Sequence, residues 1–170
     1  WCTLVESNGR FWGGTAYGGT TGNGILFSIA VDGTDYTIEH QFNDSPVTGS
    51  VINGTLIESD NRIIGTTQQG GIYNDGVVFS MNKDGSNYTV THHFNNVNGS
   101  RPLGLVKFDN RLWGVTSSGG GQFRGTIFSL DMSGNDFQLE YDFDESVGTR
   151  PSARLVPSGG KLWGVTYQGV

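Results

Sequence analysis

Polar and apolar residues alternate along several short segments of this chain. In the segment from Tyr36 to Phe42, every second residue is apolar, aromatic or histidine, and the segments from Tyr88 to Phe94 and from Phe137 to Phe143 repeat this pattern. A period of two predicts β-strands that bury one face. No segment combines the i, i+3, i+4, i+7 apolar spacing of a helix with capping residues, so we predict essentially no helix.

The predicted strands belong to a tandem repeat of about 50 residues. The glycine of a "WG" or "IG" step recurs at spacings of 52, 49 and 50 residues, at Gly13, Gly65, Gly114 and Gly164. Each copy contains four predicted strands, here named a to d, with the glycine step in strand b and the alternating segment in strand d. Strand c is predicted at residues 25–30, 77–81 and 126–130, and strand a of the third copy at residues 105–108. A Gly-rich loop joins strands b and c, and a link of about 11 residues joins strand d to the next strand a.

A period of 40 to 50 residues with short strands is typical of a β-propeller blade. We therefore predict an all-β fold, a β-propeller-like array of four-stranded antiparallel blades with about 3.5 repeats in a single repeat domain. The predicted blades are residues 3–53, 54–102 and 103–152, with a half blade at 153–170. Propellers typically close with four to eight blades. The repeat number therefore leaves open a longer chain, a dimeric ring or a head-to-tail filament.

Composition and charge narrow the classes of function. The 28 glycines fit an all-β protein with many tight turns. A net charge of -6 with scattered Lys and Arg residues argues against nucleic-acid partners, and no apolar run is long enough for membrane insertion. The lone Cys2 excludes an internal disulfide. Because the chain begins at Trp1, we expect that any targeting signal has already been removed.

Several strings carry a resemblance to a known family. In the second copy they are "IIGTTQQGG", "DGVVFSMNKDGSNYTVTHHF" and "NGSRP", and in the third they are "LWGVTSSGG", "GTIFSL" and "RP". In this order they resemble the bacterial tandem repeat called GloVer, with a kelch-like Gly-Gly after strand b. The first copy departs most, with "SVIN" in place of "SRP". The resemblance covers nearly the whole chain and implies a secreted or surface-anchored bacterial protein, with no established activity.

Residues that recur in each copy are better candidates for structure than for catalysis, because a catalytic site is normally needed once. His40, His92 and Tyr141 share one position, which we interpret as a packed, hydrogen-bonded slot, and we predict that His93 is simply exposed. Thr15, Thr67, Thr116 and Thr166 also recur, and we predict a ladder or turn role for them. No catalytic residue is predicted.

The short turns between strands c and d look faintly like calcium loops. They are Asp32 to Asp35, Asn82 to Asn87 and Asp131 to Asp136. Calcium takes six to eight oxygen ligands, and no Glu follows at the twelfth loop position. We interpret these residues as hairpin turns and predict no metal or cofactor, with calcium as the alternative.

Binding candidates come from strand b and from the b-to-c loops. Three copies place Trp in strand b where the second has Ile64, which indicates core packing, with a sugar-binding face as the alternative. Loops at one rim of a rigid scaffold commonly carry binding residues. The candidate ligand-binding residues are Trp12, Tyr17, Gln68, Gln69, Tyr73, Trp113, Gln122, Arg124 and Trp163.

The Arg-Pro dipeptides at Arg101-Pro102 and Arg150-Pro151 recur in the d-to-a link. We predict that they fix the crossover, with each Arg bonded to carbonyls or acids, and keep a substrate clamp as the alternative.

The expected function is a non-catalytic, secreted or cell-surface binding and assembly scaffold. One alternative is a lectin-like carbohydrate-binding propeller, which would gain strength from several weak sites. Another is a structural subunit that assembles through open blade edges into a dimeric ring or a filament. The expected partners are the chain itself or further blades of a longer chain, and glycans or surface proteins. The sequence offers no convincing constellation of acids and bases, which argues against an enzyme.

Overall fold

The computed structural model describes residues 3–43, 47–52 and 54–169, so Cys2 lies outside it. Within these ranges the chain forms seventeen β-strands and no helix, hence no helix long and apolar enough to cross a membrane. The all-β prediction is confirmed. The strands form antiparallel sheets of two to five strands, and the described residues do not close into a propeller.

The strands are grouped into three larger sheets and two short pairs. The first sheet contains β1 (Val5–Ser7), β2 (Arg10–Gly14), β3 (Ile25–Ala30) and β4 (Thr37–Gln41). The second contains β5 (Gly49–Ile52), β6 (Ile57–Ser59), β7 (Arg62–Gly70), β8 (Val77–Asn82) and β9 (Thr89–His93). The third contains β10 (Ser100–Phe108), β11 (Arg111–Ser118), β12 (Thr126–Leu130) and β13 (Gln138–Asp142). The fourth unit, as we call it, pairs β14 (Thr149–Pro151) with β17 (Thr166–Gln168) and β15 (Val156–Ser158) with β16 (Lys161–Trp163).

The first strand of the third sheet begins earlier than the hydrophobic pattern predicts. β10 begins at Ser100 rather than Leu105, and only residues 94–99 separate β9 from β10, so the predicted link of about 11 residues is wrong. The pattern hides the start of β10 because Arg101 has a φ of 58° and the pairing register shifts between Pro102 and Leu105. β5 and β14 lie at the equivalent places and pair with β7 and β17, respectively.

Strand c and the turn from strand a to strand b follow the sequence closely. β3 and β12 have the predicted bounds, and β8 extends one residue further, to Asn82. The turns at 60–61 and 109–110 have positive φ at both central residues. This is the two-residue hairpin geometry that matches the twist of the strands it joins, and Asp and Asn tolerate it well.

An arginine at the start of strand b anchors the c-to-d turn of each larger sheet. Arg111 Nε donates to Ser129 Oγ at 2.8 Å, and its Nη1 donates to Asp136 Oδ2 at 2.9 Å. Arg10 makes the equivalent bonds, and Arg62 donates to Ser80 Oγ and to the carbonyl of Asn87. The repeated arginine had no assigned role in the sequence, and the structure shows that it fixes one end of each sheet.

The three larger sheets stack face to face. We call the face toward the preceding sheet the front and the face toward the following sheet the back. The first interface joins the back of the first sheet to the front of the second, through Trp12, Leu26, Phe42, Ile52, Leu56, Ile63, Phe79 and Met81. The second joins the back of the second sheet to the front of the third, through Ile64, Val78, Phe94, Leu105, Leu112, Phe128 and Leu130.

A phenylalanine pair lies at the centre of each interface. The rings of Phe42 and Phe79 are 6.0 Å apart edge to face, and those of Phe94 and Phe128 are 5.0 Å apart in the same arrangement. The strand-b glycine makes room for the strand-c ring: a Cβ on Gly65 would lie 2.7 Å from Phe79 Cζ. The recurring "WG" and "IG" steps therefore follow from ring packing across neighbouring strands.

Replacing Phe128 with Ala should lower the free energy of unfolding by about 3–5 kcal/mol, because the ring is fully buried and leaves a cavity. Phe123→Ala in the exposed loop of the same sheet is the matched control and should change it little. Urea unfolding of the two variants measures the difference. Equal midpoints would show that the Phe94–Phe128 contact does not hold the sheets together.

Candidate functional site

The b-to-c loops and the d-to-a links lie together at one end of the sheets, here called the loop end. The side chain of the last strand-d residue holds each loop. The backbone amides of Thr20, Ile72 and Gly121 donate to Gln41 Oε1 at 3.0 Å, His93 Nδ1 at 3.3 Å and Asp142 Oδ2 at 2.7 Å, respectively. His93 is therefore half-buried, and burial lowers its pKa. The prediction that His93 is simply exposed is wrong.

Polar clefts separate neighbouring repeats at the loop end. The first cleft, of about 440 Å³, lies between the loop of the second sheet and the start of β10. It includes Gln69, Tyr73, Asp75, Ser100 and Arg101. Ser100 Oγ donates to Asp75 Oδ1 at 2.6 Å, so part of its polar lining is already paired.

Two further clefts lie at the loop end beyond the first. The second, of about 470 Å³, is the equivalent of the first one repeat later, and in it Arg124 forms an ion pair with Glu145. The third, of about 410 Å³, includes both Arg101 and Arg150. The loop end therefore carries a repeated series of polar concavities.

The structure distributes the nine candidate binding residues rather than gathering them. Gln69 and Tyr73 line the first cleft and Arg124 lines the second. Tyr17, Gln68 and Gln122 line none of these three clefts.

The three strand-b tryptophans lie on the back faces of their units. Trp12 is 1% exposed and packs in the first interface, as the core interpretation expects. Trp113 is half-buried and its Nε1 donates to Phe108 O at 3.1 Å. Trp163 is 59% exposed, with the equivalent bond to Ser158 O at 3.1 Å. The exposure of this position increases toward the end of the array because fewer strands cover it.

The Arg-Pro dipeptides do not make the side-chain contacts that the sequence predicts for them. The Arg101 and Arg150 amides donate to the carbonyls of Asp75 at 2.9 Å and Arg124 at 2.8 Å, so the backbone joins neighbouring repeats. Within the described ranges, neither guanidinium group reaches a carbonyl or an acid, so the predicted side-chain bonds are wrong. The crossover is held by the main chain, and both charges remain available in the third cleft.

The recurring histidine position is a packing slot. The ring of His40 lies 3.9 Å from that of Tyr88, and the ring of His92 lies 3.8 Å from that of Phe137, both stacked across a sheet interface. Asn98 donates to His92 Nε2 at 3.2 Å. His40 Nε2 has no hydrogen-bond partner in the part of the chain that the structure describes. The slot is therefore packed in both copies, and hydrogen-bonded at Nε2 in the second.

The side-chain oxygens of the short polar turns and of the repeated threonines form local hydrogen bonds. The Ser86 hydroxyl and amide donate to Asp84, which lowers the pKa of that carboxyl. Each repeated threonine donates to the carbonyl two residues later, as Thr67 Oγ1 does to Gln69 O at 2.9 Å. Among residues 3–43, 47–52 and 54–169, no three His, Cys, Asp or Glu side chains gather as metal ligands.

Stacked antiparallel sheets with repeated turns, anchors and clefts define an all-β tandem-repeat protein. The sequence model of the Gloeobacter/Verrucomicrobia repeat matches residues 1–170, so the chain belongs to this family, as its resemblance to the bacterial repeat predicted. No curated protein matches the sequence.

The free energy of unfolding should decrease as the pH falls from about 6.5 to about 4. Burial, followed by the neighbouring charge of His93, lowers the pKa of His92 from 6.5 to about 4, so the unfolded chain binds more protons in this range. His92→Tyr should flatten the pH dependence, because the third sheet carries Tyr141 at this position. Denaturant titrations at pH 7, 5.5 and 4.5 measure the effect. An unchanged slope in the variant would contradict the assignment to His92.

Proposed function

We propose that this protein is a non-catalytic binding and assembly scaffold, secreted or at the bacterial cell surface, in which repeat units stack in a propeller-like array. The main support for assembly comes from the two ends of the stack of sheets. Each end exposes residues at repeat positions that are buried in the interfaces between sheets. Because one unit cannot bury both faces alone, such ends favour a further unit of the same kind.

The front of the first sheet is the first of these ends. Leu4 is 56% exposed, whereas its counterpart Leu56 in the second sheet is 1% exposed. Tyr36 is 54% exposed, whereas its counterpart Tyr88 packs in the first interface. Tyr36 stacks on Phe27 at 5.5 Å much as Tyr88 stacks on Phe79 at 5.4 Å, so the surface is already arranged like a buried one.

The other end is formed by the back of the third sheet and the fourth unit. An apolar cavity of about 360 Å³ lies between them, lined by Trp113, Ile127, Phe143, Leu155 and Leu162. Tyr141 beside Phe143 is 41% exposed, and among the described rings it contacts Phe143 alone, edge to face. Its counterparts His40 and His92 each stack on an aromatic ring of the next sheet.

The occupant that fits these ends is a second copy of this chain. The front of one copy would dock on the third-sheet end of another, because the two internal interfaces already join a front to a back with the same residue positions. Such a head-to-tail contact yields a ring if the rotation closes and a filament if it does not.

The chain should have a mass above 18.3 kDa that increases with concentration, measured by light scattering after size exclusion. The double variant Leu4→Ser/Tyr36→Ser should return it to a monomer, because it removes the exposed apolar groups of the front. Tyr17→Ser, in an exposed loop, is the control and should leave the mass unchanged. A wild-type chain that stays monomeric at every concentration would overturn the assembly proposal.

The remaining elements of the proposal have different support. The extracellular location is supported by the resemblance to a repeat of secreted and surface-anchored bacterial proteins. The absence of catalysis is supported by the recurrence of the His, Thr and Asp positions and by their use in packing and turns. The lectin-like alternative is supported by the recurring clefts at the loop end, where several polar groups converge.

A further inference from the structure

The third cleft contains two arginines whose backbone conformation is unusual. Arg101 and Arg150 have φ values of 58° and 57°, and each precedes a proline. A residue before proline normally adopts an extended conformation, and a left-handed conformation is unfavourable for a non-glycine residue. The surrounding strand pairing and the amide bonds to Asp75 and Arg124 hold this conformation.

The conformation does not require an arginine side chain. Val51 occupies the equivalent position in the first link, with a φ of 59°, and its amide donates to Asn23 O at 3.2 Å. The repeat therefore needs the left-handed backbone, whereas the two guanidinium groups have no structural role in it. Because the fold does not need these two charged groups, they are candidates for a binding role.

The other arginines of the described ranges are engaged. Arg10, Arg111 and Arg124 form ion pairs, Arg62 is hydrogen-bonded to Ser80 and Asn82, and Arg154 donates to Thr55. Arg101 and Arg150 are exposed and make no such side-chain contact among those residues. In a chain of net charge -6, two unpaired positive groups lining one cleft form a local site for an anion.

The other residues that line the third cleft indicate the kind of molecule to which the anion belongs. Ser118, Ser152 and Tyr167 supply hydroxyl groups, and Tyr167 also supplies an exposed ring face. Guanidinium forks bind carboxylates, sulfates and phosphates with two parallel hydrogen bonds. Hydroxyl groups and an aromatic face suit a sugar body. We propose that this cleft binds an oxyanion carried on a saccharide, with Arg101 and Arg150 as the anion-binding residues.

This inference deepens the lectin-like alternative and is independent of head-to-tail assembly. The two are read out separately, since assembly changes the mass of the protein and saccharide binding produces heat at constant mass. A chain that binds the saccharide as a monomer would uphold this inference while overturning assembly, and the reverse outcome is equally distinguishable.

The test is calorimetric titration of the full chain with trigalacturonate as a carboxylated probe and a sulfated trisaccharide of similar size. Maltotriose is the neutral probe, and sodium sulfate is the free anion. An acidic saccharide should bind at least about tenfold more tightly than maltotriose and than the free anion, and added salt should weaken the binding. The stronger of the two acidic probes identifies the anion as carboxylate or sulfate.

Substitutions of the two arginines test whether they form the binding site. Arg101→Gln and Arg150→Gln should each weaken acidic-saccharide binding by about tenfold, because each removes a charge-assisted fork. Arg154→Gln removes the same charge from an exposed arginine that donates to Thr55 and does not line the cleft, and should leave affinity unchanged. Arg101→Lys and Arg150→Lys keep the charge without the fork and should give an intermediate loss. Circular dichroism checks that each variant is folded.

The proposal would be overturned if neither acidic saccharide binds the folded chain, or if sodium sulfate alone binds with equal affinity. It would be overturned too if the folded Arg101→Gln and Arg150→Gln variants retain the affinity. If the glutamine variants fail to fold, Arg101→Val replaces them, since Val51 has the same conformation. Salt-independent affinity of the wild-type chain would also overturn it.

Discussion

The structure depends on burying two apolar faces on every sheet. Adjacent residues such as Ile63 and Ile64 point to opposite interfaces, and both are fully buried. A strand with consecutive buried residues needs a neighbour on each side, so the repeats must stack. The strand-c phenylalanine, the strand-b glycine beneath it and the stacked strand-d slot all serve this contact. The apolar ends of the array arise from the same requirement.

Stacking also determines where the clefts lie. The sheets pack through their apolar centres, and the clefts lie between neighbouring repeats at the loop end. The main chain bridges these gaps, as when the Arg101 amide reaches the carbonyl of Asp75. The bridging is a backbone function, which leaves the side chain at that position free to vary from Val51 to arginine. Polar chemistry at the loop end is therefore separable from the stability of the fold.

The fold was predictable wherever a local pattern has a single physical meaning. The bounds of β3 and β12 follow from apolar runs between turns, and the roles of Thr67 and Asp84 follow from short-range hydrogen bonding. The start of β10 was missed because a left-handed residue and a register shift break the alternation. His93 was misread because its role as a loop anchor depends on Ile72, which lies 21 residues away in the chain.

The sequence by itself determined the repeat period, the all-β class and the strand order within a unit, because each follows from local periodicity. The tertiary structure decided which residues meet across units. It placed Arg101 and Arg150 in one cleft, buried Trp12 while exposing Trp163, and separated the nine candidate binding residues. The physical reason is that contacts between units depend on how the sheets stack and on where a unit lies in the stack. Equivalent residues have the same local sequence in every copy, so their sequence does not specify either.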